Sequence, residues 1–173
     1  SVSDIDTIKP IYGKSFMGMT LIDSGVSPGE TGAIVSLEAG SFGHVDTKQN
    51  KFAYIKAGRK GVQWFPNCWM HKEGTDSFRA TVRCSNMMIA YKLTSDTEYG
   101  QAELYVDGVL KETMNCHDTS GWNNATVKVV FNDEEIAEHH VEIKMMQGQE
   151  DKKFTIYAIG YTNSDEFRES LKR

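Results

Sequence analysis

The C-terminal half of the chain, residues 101–161, alternates apolar and polar residues with a period of two. The apolar positions of its three clearest runs are Ala102, Leu104, Val106, Val127, Val129, Phe131, Val141, Ile143 and Met145. This period is typical of β-strands that bury one face. Asp107-Gly108 follows the first run and favours a tight type I′ hairpin, because both central residues of that turn need positive φ. The pattern therefore predicts antiparallel strands held in register by short turns.

The rest of the chain carries further short strand candidates, separated by turn residues. They are 11–22, 32–37, 52–55, 61–65, 78–84 and 87–93. Many short strands at a spacing of roughly 8–12 residues are typical of a two-sheet sandwich. We therefore predict an all-β fold, a two-sheet antiparallel β-sandwich of the jelly-roll type. A short C-terminal helix is predicted in the tail 164–173, with Ser164 as its N-cap.

Length and charge limit the classes of function. With 173 residues, the chain is long enough for one sizeable core. Residues 1–173 are therefore predicted to form a single domain, which we expect to be excised from a larger multidomain protein. The net charge of −5, with scattered Lys and Arg, indicates neither a nucleic-acid surface nor a membrane anchor. No leader is expected, and no apolar run approaches the ~20 residues that span a bilayer.

The three cysteines, Cys68, Cys84 and Cys116, are odd in number and form no C-x-x-C motif. Neither a disulfide framework nor a zinc site is therefore indicated. Reduced thiols slightly favour a cytoplasmic location, whereas membership of a secreted enzyme would place the chain outside the cell. No cofactor is predicted. A structural calcium ion remains an alternative because Asp and Glu occur in the predicted loops, although no EF-hand spacing is present.

The sequence lacks the motifs of the common hydrolases. Segment 39–43 lacks the first glycine of G-x-S-x-G, and no D-x-x-H, H-E-x-x-H, P-loop or dinucleotide glycine motif occurs. Cys116-His117-Asp118 contains the residue types of a catalytic triad, but sequence neighbours seldom face one another. We therefore predict that the chain is not an enzyme, and we keep a divergent enzyme that uses Cys116 and His117 as a weaker alternative.

Strand directions in a jelly roll place several loops at one rim of the sandwich. Segments 69–76, 94–100, 116–124 and 146–152 should collect there, whereas tight turns, including 132–135, should lie at the opposite rim. Long loops carry binding residues more often than tight turns do. The residues that characterise this predicted rim are Trp69, His71, Glu98, Tyr99, His117, Asp118, Trp122, Asn123 and Asn124.

Two tryptophans, Trp69 and Trp122, stand in polar, turn-rich surroundings. An indole in such a place is either a packing lid over the end of the sandwich or a platform for a ligand, and both interpretations stay open. The face of an indole suits the C–H groups of a pyranose, while Asn, Asp and His hydrogen-bond its hydroxyls. A carbohydrate is therefore the predicted partner. The predicted ligand-binding residues are Trp69, His71, Tyr99, Asp118, Trp122, Asn123 and Asn124.

Four blocks in a fixed order carry a resemblance to a known family. They are 99–111, Gly121-Trp122-Asn123-Asn124, 138–145 and 152–161. Together they resemble the jelly-roll accessory domain of SGNH/GDSL-type carbohydrate esterases from gut and rumen bacteria, and jelly-roll carbohydrate-binding modules more generally. The resemblance spans roughly residues 75–162.

This resemblance implies a non-catalytic module that binds plant cell-wall polysaccharide or oligosaccharide. The module would accompany an esterase that removes acetyl groups from such glycans, and it would grip the glycan or close over the active site. The alternative is a structural domain that packs on a neighbouring SGNH esterase domain without binding glycan independently.

Overall fold

The computed structural model describes residues 16, 18–27, 32–48, 51–52, 62–63 and 65–163. The described strands are β1 Thr20–Ile22, β2 Ile34–Glu38, β3 Lys51–Phe52, β4 Val62–Gln63, β5 Trp69–His71, β6 Phe78–Thr94, β7 Gln101–Val106, β8 Val109–Asn115, β9 Trp122–Met145 and β10 Phe154–Thr162. A 3₁₀ turn spans Gly40–Phe42. The helix predicted at 164–173 lies outside the described residues. No helix within them is long and apolar enough to cross a membrane.

Eight of the described strands form the two layers of an antiparallel β-sandwich, as the period-two pattern predicts, and β3 and β4 pair with each other in a separate two-stranded sheet. One layer, called here the β7 sheet, contains β2, the first half of β6, the second half of β9, β7 and β8. The other layer, the β10 sheet, contains β1, β5, β10, the second half of β6 and the first half of β9. The long β6–β9 ribbon therefore belongs to both layers, and all the sheet pairings are antiparallel. The all-β jelly-roll prediction is confirmed.

The β6–β9 ribbon passes from one layer to the other at an irregularity in the strand pairing. The sequence pattern predicts breaks between strands in this region. The segments predicted as two strands, 78–84 and 87–93, form the single strand β6, and the turn predicted at 132–135 lies inside β9. There the partner of β6 jumps from Ala137 to Asn132, so that β9 carries extra residues. Buried Asn86 supports the junction, because its amide donates to the Thr162 hydroxyl at 2.9 Å. The Asn86 side-chain nitrogen is thus hydrogen-bonded within the sheet.

The core lies between the two layers and is rich in aromatic rings. Phe42, the last residue of the 3₁₀ turn, makes edge contacts with Phe78 of the β7 sheet at 6.2 Å and with Phe154 of the β10 sheet at 6.4 Å. Tyr91 stacks on Phe154 at 5.7 Å. These four rings are almost completely buried, so they contribute a large share of the hydrophobic stabilisation that joins the layers.

The predicted Asp107-Gly108 hairpin connects β7 to β8. Asp107 has φ +52° and Gly108 has φ +77°, which are the left-handed values that a type I′ turn requires. The Asp107 carboxylate accepts hydrogen bonds from the backbone of His140 and the ring of His139, both at 2.8 Å. The turn is thus tied to β9 as well as to its own strands, and the predicted register is confirmed.

Candidate functional site

The four loop segments predicted to share one rim are joined by backbone hydrogen bonds. Thr94 at the end of β6 donates to Cys116, and Asp118 donates back to Thr94, both at 2.9 Å. Gly100 donates to Lys153 at 3.0 Å, and Gly74 donates to Glu150 at 3.2 Å. These bonds fix the loops to strand ends, so side chains on them have defined positions. The predicted convergence of the loops at one rim is therefore observed.

Trp122 begins β9 and is the most exposed aromatic side chain described at this rim. Its exposed fraction is 63%. Trp122 pairs with Thr94, which places it on the face of β6 that faces away from the core. Its backbone N–H donates to the Asn124 side chain at 3.2 Å. An indole held at its backbone and open on its ring face is a suitable surface for the C–H groups of a flat ligand.

Gly121 allows the tryptophan loop to lie directly against β6. A Cβ at this position would stand 2.4 Å from the backbone nitrogen of Thr94 and 2.6 Å from its Cα. The Gly121 carbonyl also accepts a hydrogen bond from Ser95 at 2.9 Å. Glycine is therefore required for close backbone approach, and this approach holds the adjacent Trp122 in place.

Asn123 forms the bulge that follows Trp122. Its φ of +66° is a left-handed value, which Asn tolerates better than most residues. The Asn123 side-chain oxygen accepts from the Thr94 hydroxyl at 2.9 Å, and its backbone oxygen accepts from Tyr157 at 3.2 Å. Phe65 stacks on the Tyr157 ring at 4.8 Å. The bulge beside the exposed indole is thus supported from beneath by a buried tyrosine.

The polar side chains beside Trp122 use only some of their hydrogen-bonding atoms. The Asp118 Oδ1 atom accepts from the backbone and hydroxyl of Ser120, and these bonds lower the pKa of the Asp118 carboxyl below its ordinary value. Within the described residues, no hydrogen bond engages Asp118 Oδ2 or the side-chain nitrogens of Asn123 and Asn124. One anionic acceptor and two amide donors therefore accompany the indole.

Three predicted binding residues, Trp69, Tyr99 and His71, are buried and are not exposed at the rim. Trp69 is 3% exposed and packs edge-on against Phe78 at 5.2 Å, which makes it a core residue. Tyr99 is buried, and its hydroxyl donates to Asp46 at 3.1 Å. His71 is buried as well, with Nδ1 2.8 Å from the carbonyl of Lys152. The local polarity around these residues did not reveal the strands that cover them.

Tyr99 belongs to a buried polar cluster that sequence reasoning missed. The Lys92 ammonium donates to Asp46 at 2.8 Å, to the Lys48 carbonyl at 2.9 Å and to the Tyr99 hydroxyl at 3.0 Å. Thr155 donates to the same Asp46 oxygen at 2.8 Å. The sequence feature that could have indicated this cluster is Lys92 within the apolar run 87–93. A lysine buried in such a strand needs an anionic partner. The cluster fastens segment 44–48 to the β10 sheet.

The Cys116-His117-Asp118 sequence does not assemble a nucleophile with its base. Cys116 is fully buried, and burial raises the pKa of its thiol to about 12. His117 is instead hydrogen-bonded through Nδ1 to the carbonyl of Asp96 at 3.2 Å. A thiol with so high a pKa is a poor nucleophile. This geometry argues against an enzyme that uses Cys116 as its nucleophile and His117 as its base.

No metal centre is defined by the described residues. Among them, no three or more His, Cys, Asp or Glu side chains form a group that could hold a metal ion. The calcium alternative raised by the sequence stays a prediction. The three cysteines, all within the described ranges, are buried and form no disulfide with one another.

The sandwich shares its fold with a solved carbohydrate-binding module and with parts of solved esterases. No family model matches the sequence, and no curated protein matches it. Among solved structures, a family 35 carbohydrate-binding module from an environmental isolate has a TM-score of 0.50 at 14% identity, over 83% of this chain and 93% of that one. At this identity the similarity shows the shared fold.

Solved esterases contain a similar fold as part of their chains. A two-domain esterase active on acetylated mannans, co-crystallised with mannopentaose, has a TM-score of 0.62 at 15% identity over 90% of this chain. A family two carbohydrate esterase from Cellvibrio japonicus has a TM-score of 0.53 at 12% identity over 84% of this chain. This chain spans 39% of the first enzyme and 34% of the second. The fold predicted from the resemblance is therefore that of carbohydrate-binding modules and of one part of these esterases.

Proposed function

We propose that the chain is a non-catalytic carbohydrate-binding module that uses the Trp122 rim to bind plant cell-wall polysaccharide or oligosaccharide. The observation that carries this proposal is the 63% exposed indole of Trp122 on a loop fixed to Thr94. Because the loop is held before binding, little conformational entropy is lost when a sugar ring stacks on the indole. Asp118 and Asn123 supply an acceptor and a donor for the sugar hydroxyls.

The proposed module is accessory to a carbohydrate esterase. The support is the fold shared with part of a two-domain esterase active on acetylated mannans, of which this chain spans 39%. A domain of this kind would keep the esterase close to its polymer, which raises the effective concentration of substrate. Mannan is for this reason the first polysaccharide to be tested.

The test is affinity electrophoresis of the purified chain in gels that contain soluble galactomannan, arabinoxylan, mixed-linkage β-glucan or homogalacturonan. We expect at least one polymer to retard the chain. We expect Trp122→Ala to weaken that retardation by about tenfold in apparent Kd, the equivalent of about 1.4 kcal/mol. Migration of the wild type that is unchanged in every gel would refute the proposal.

A matched control is Leu21→Ala in β1. Leu21 is 62% exposed, and β1 lies at the edge of the β10 sheet, separated from β9 by β10 and β6. It therefore tests the loss of an exposed apolar side chain away from the proposed site. We expect this variant to bind as the wild type does. Equal weakening by both substitutions would show a non-specific apolar effect.

A second candidate function is a structural domain that packs on a neighbouring esterase domain. It is favoured by an apolar strip in which Trp122, Val127 and Val129 are 63%, 52% and 39% exposed. Their partners on β6 are Thr94, Ala90 and Met88, so the three side chains share one face. An exposed strip of this kind often marks a protein contact.

The two functions make different predictions for Val127→Asp. If the strip is an interface, the isolated chain should self-associate in sedimentation velocity, and the added charge should restore a monomer. Glycan binding through Trp122 requires no such association. A monomeric wild type would count against the interface.

A further inference from the structure

A cleft of about 440 Å³ lies on the outer face of the β7 sheet, away from Trp122. Glu103 and Tyr105 of β7 and Lys144 of β9 line it, because these side chains alternate with the core residues Leu104 and Ile143. The loops 74–76 and 147–150 complete its walls at the rim end. The cleft combines a half-buried aromatic ring with charged and amide side chains.

The polar groups in the cleft hold one another in position. The Tyr105 hydroxyl donates to Glu103 at 2.8 Å, and the Lys144 ammonium lies 3.5 Å from the same carboxylate. That ammonium also stands over the Tyr105 ring, 4.5 Å from its centre. The three side chains form a compact group with an aromatic centre, in which a bound molecule would find oriented donors and acceptors.

The two loop walls are fixed from beneath by His71. Its Nδ1 lies 2.8 Å from the carbonyl of Lys152 and its Nε2 lies 3.0 Å from that of Gly74. The Gly74 backbone N–H also donates to the Glu150 carbonyl at 3.2 Å. The buried histidine and this bond join the walls, so the cleft keeps its shape without a ligand.

A second cleft of about 350 Å³ continues on the same face of the sheet. Arg79 and Glu142 line it, and they are joined by a hydrogen bond of 3.0 Å. Glu142 is the register partner of Tyr105, so the two clefts meet at neighbouring positions. A ligand longer than one ring could therefore run across the face from β7 to β6.

The lining chemistry indicates the class of ligand. At the rim end, three carboxylates of Asp76, Glu103 and Glu150 face a single ammonium of Lys144. This excess of negative charge disfavours uronic acids and phosphates. The side chains that line the rim-end cleft are mostly polar, which disfavours lipid. A neutral chain rich in hydroxyl groups suits carboxylate and amide acceptors together with one aromatic face.

We infer that the outer face of the β7 sheet is a second saccharide-binding site, which takes a neutral glycan segment on Tyr105, Glu103 and Lys144. The inference rests on the proposed function, because it assumes that the chain binds glycans. Two sites on one module would let it hold two segments of a polymer and increase its avidity. Lys144, 42% exposed, covers one side of the tyrosine ring, and its ammonium would be the donor beside the glycan segment.

The test compares wild type, Tyr105→Ala, Trp122→Ala and the double variant in gels that contain galactomannan, mixed-linkage β-glucan or homogalacturonan. We expect Tyr105→Ala to weaken retardation by a neutral polymer by about three- to tenfold, and the double variant to lose more than either single variant. Glu103→Gln, which keeps the size of the side chain, should weaken binding in the same direction. Urea unfolding of each variant verifies that the fold is intact.

The outcomes separate the two proposals. Weakening by Tyr105→Ala or Glu103→Gln supports the sheet-face site, even if Trp122→Ala has no effect and the rim proposal fails. Full binding by folded Tyr105→Ala and Glu103→Gln variants, with loss in Trp122→Ala, overturns only the sheet-face site. Retardation by homogalacturonan alone overturns the neutral-glycan assignment. No retardation of the wild type by any polymer overturns both proposals.

Discussion

Lys92→Met tests how much the buried polar cluster stabilises the fold. Methionine occupies the volume of the lysine stem but removes a charge that is 2.8 Å from Asp46, where the two side chains are 0% and 1% exposed. Loss of one partner from a buried ion pair costs about 3–5 kcal/mol, because the remaining charge stays buried. We therefore expect the free energy of unfolding at neutral pH to fall by about 3–5 kcal/mol.

The measurement is urea unfolding followed by circular dichroism. The double variant Lys92→Met/Asp46→Asn removes both charges, and we expect it to regain about 1–3 kcal/mol relative to Lys92→Met. A loss below about 1 kcal/mol in Lys92→Met would refute the reasoning, since that is the range of an exposed pair. No recovery in the double variant would contradict the role assigned to the unpaired carboxylate.

The same variant should change how stability depends on pH. Burial by itself raises the pKa of Asp46, but the hydrogen bond and charge of Lys92 outweigh burial and hold it below its ordinary value. In the wild type, the stability from this carboxylate is present above its unfolded pKa and is lost as the pH falls through the lower folded pKa. In Lys92→Met, burial raises the folded pKa, so the stability deficit should shrink as the pH falls towards about 4. A deficit that does not change between neutral pH and that value would contradict the sign.

Two further substitutions test the positions assigned to the rim residues. Trp69→Ala should lower the free energy of unfolding by about 3–5 kcal/mol, because it leaves a cavity beside Phe78. A near-neutral effect in urea unfolding would mean that Trp69 lies at the surface. Gly121→Ala should cost about 1–3 kcal/mol and weaken glycan retardation, because its Cβ would stand 2.4 Å from Thr94 N. Its control is Gly43→Ala, where φ is −73° and the atom nearest to an added Cβ is 3.8 Å away. A large loss of stability in this control would show a general intolerance of alanine.

The local pattern of the sequence was sufficient to predict the fold class. Period-two alternation records which side of a strand is buried, and Asp107-Gly108 records a backbone requirement for positive φ, which the structure shows at +52° and +77°. Both are properties of neighbouring residues. The connection across Asn86 was predicted wrongly, because its polar side chain finds its partner in distant Thr162.

The rim residues show where local information ends. Trp69 and Trp122 occupy similar polar surroundings in the sequence, yet they are 3% and 63% exposed. Trp69 pairs with Ile156 and packs on Phe78, whereas Trp122 lies at a strand end on the face away from the core. Burial of a side chain depends on which distant strands arrive beside it. The period of the chain therefore specified strands and turns, while long-range pairing selected which aromatic ring is exposed to a ligand and which lysine is buried with its carboxylate.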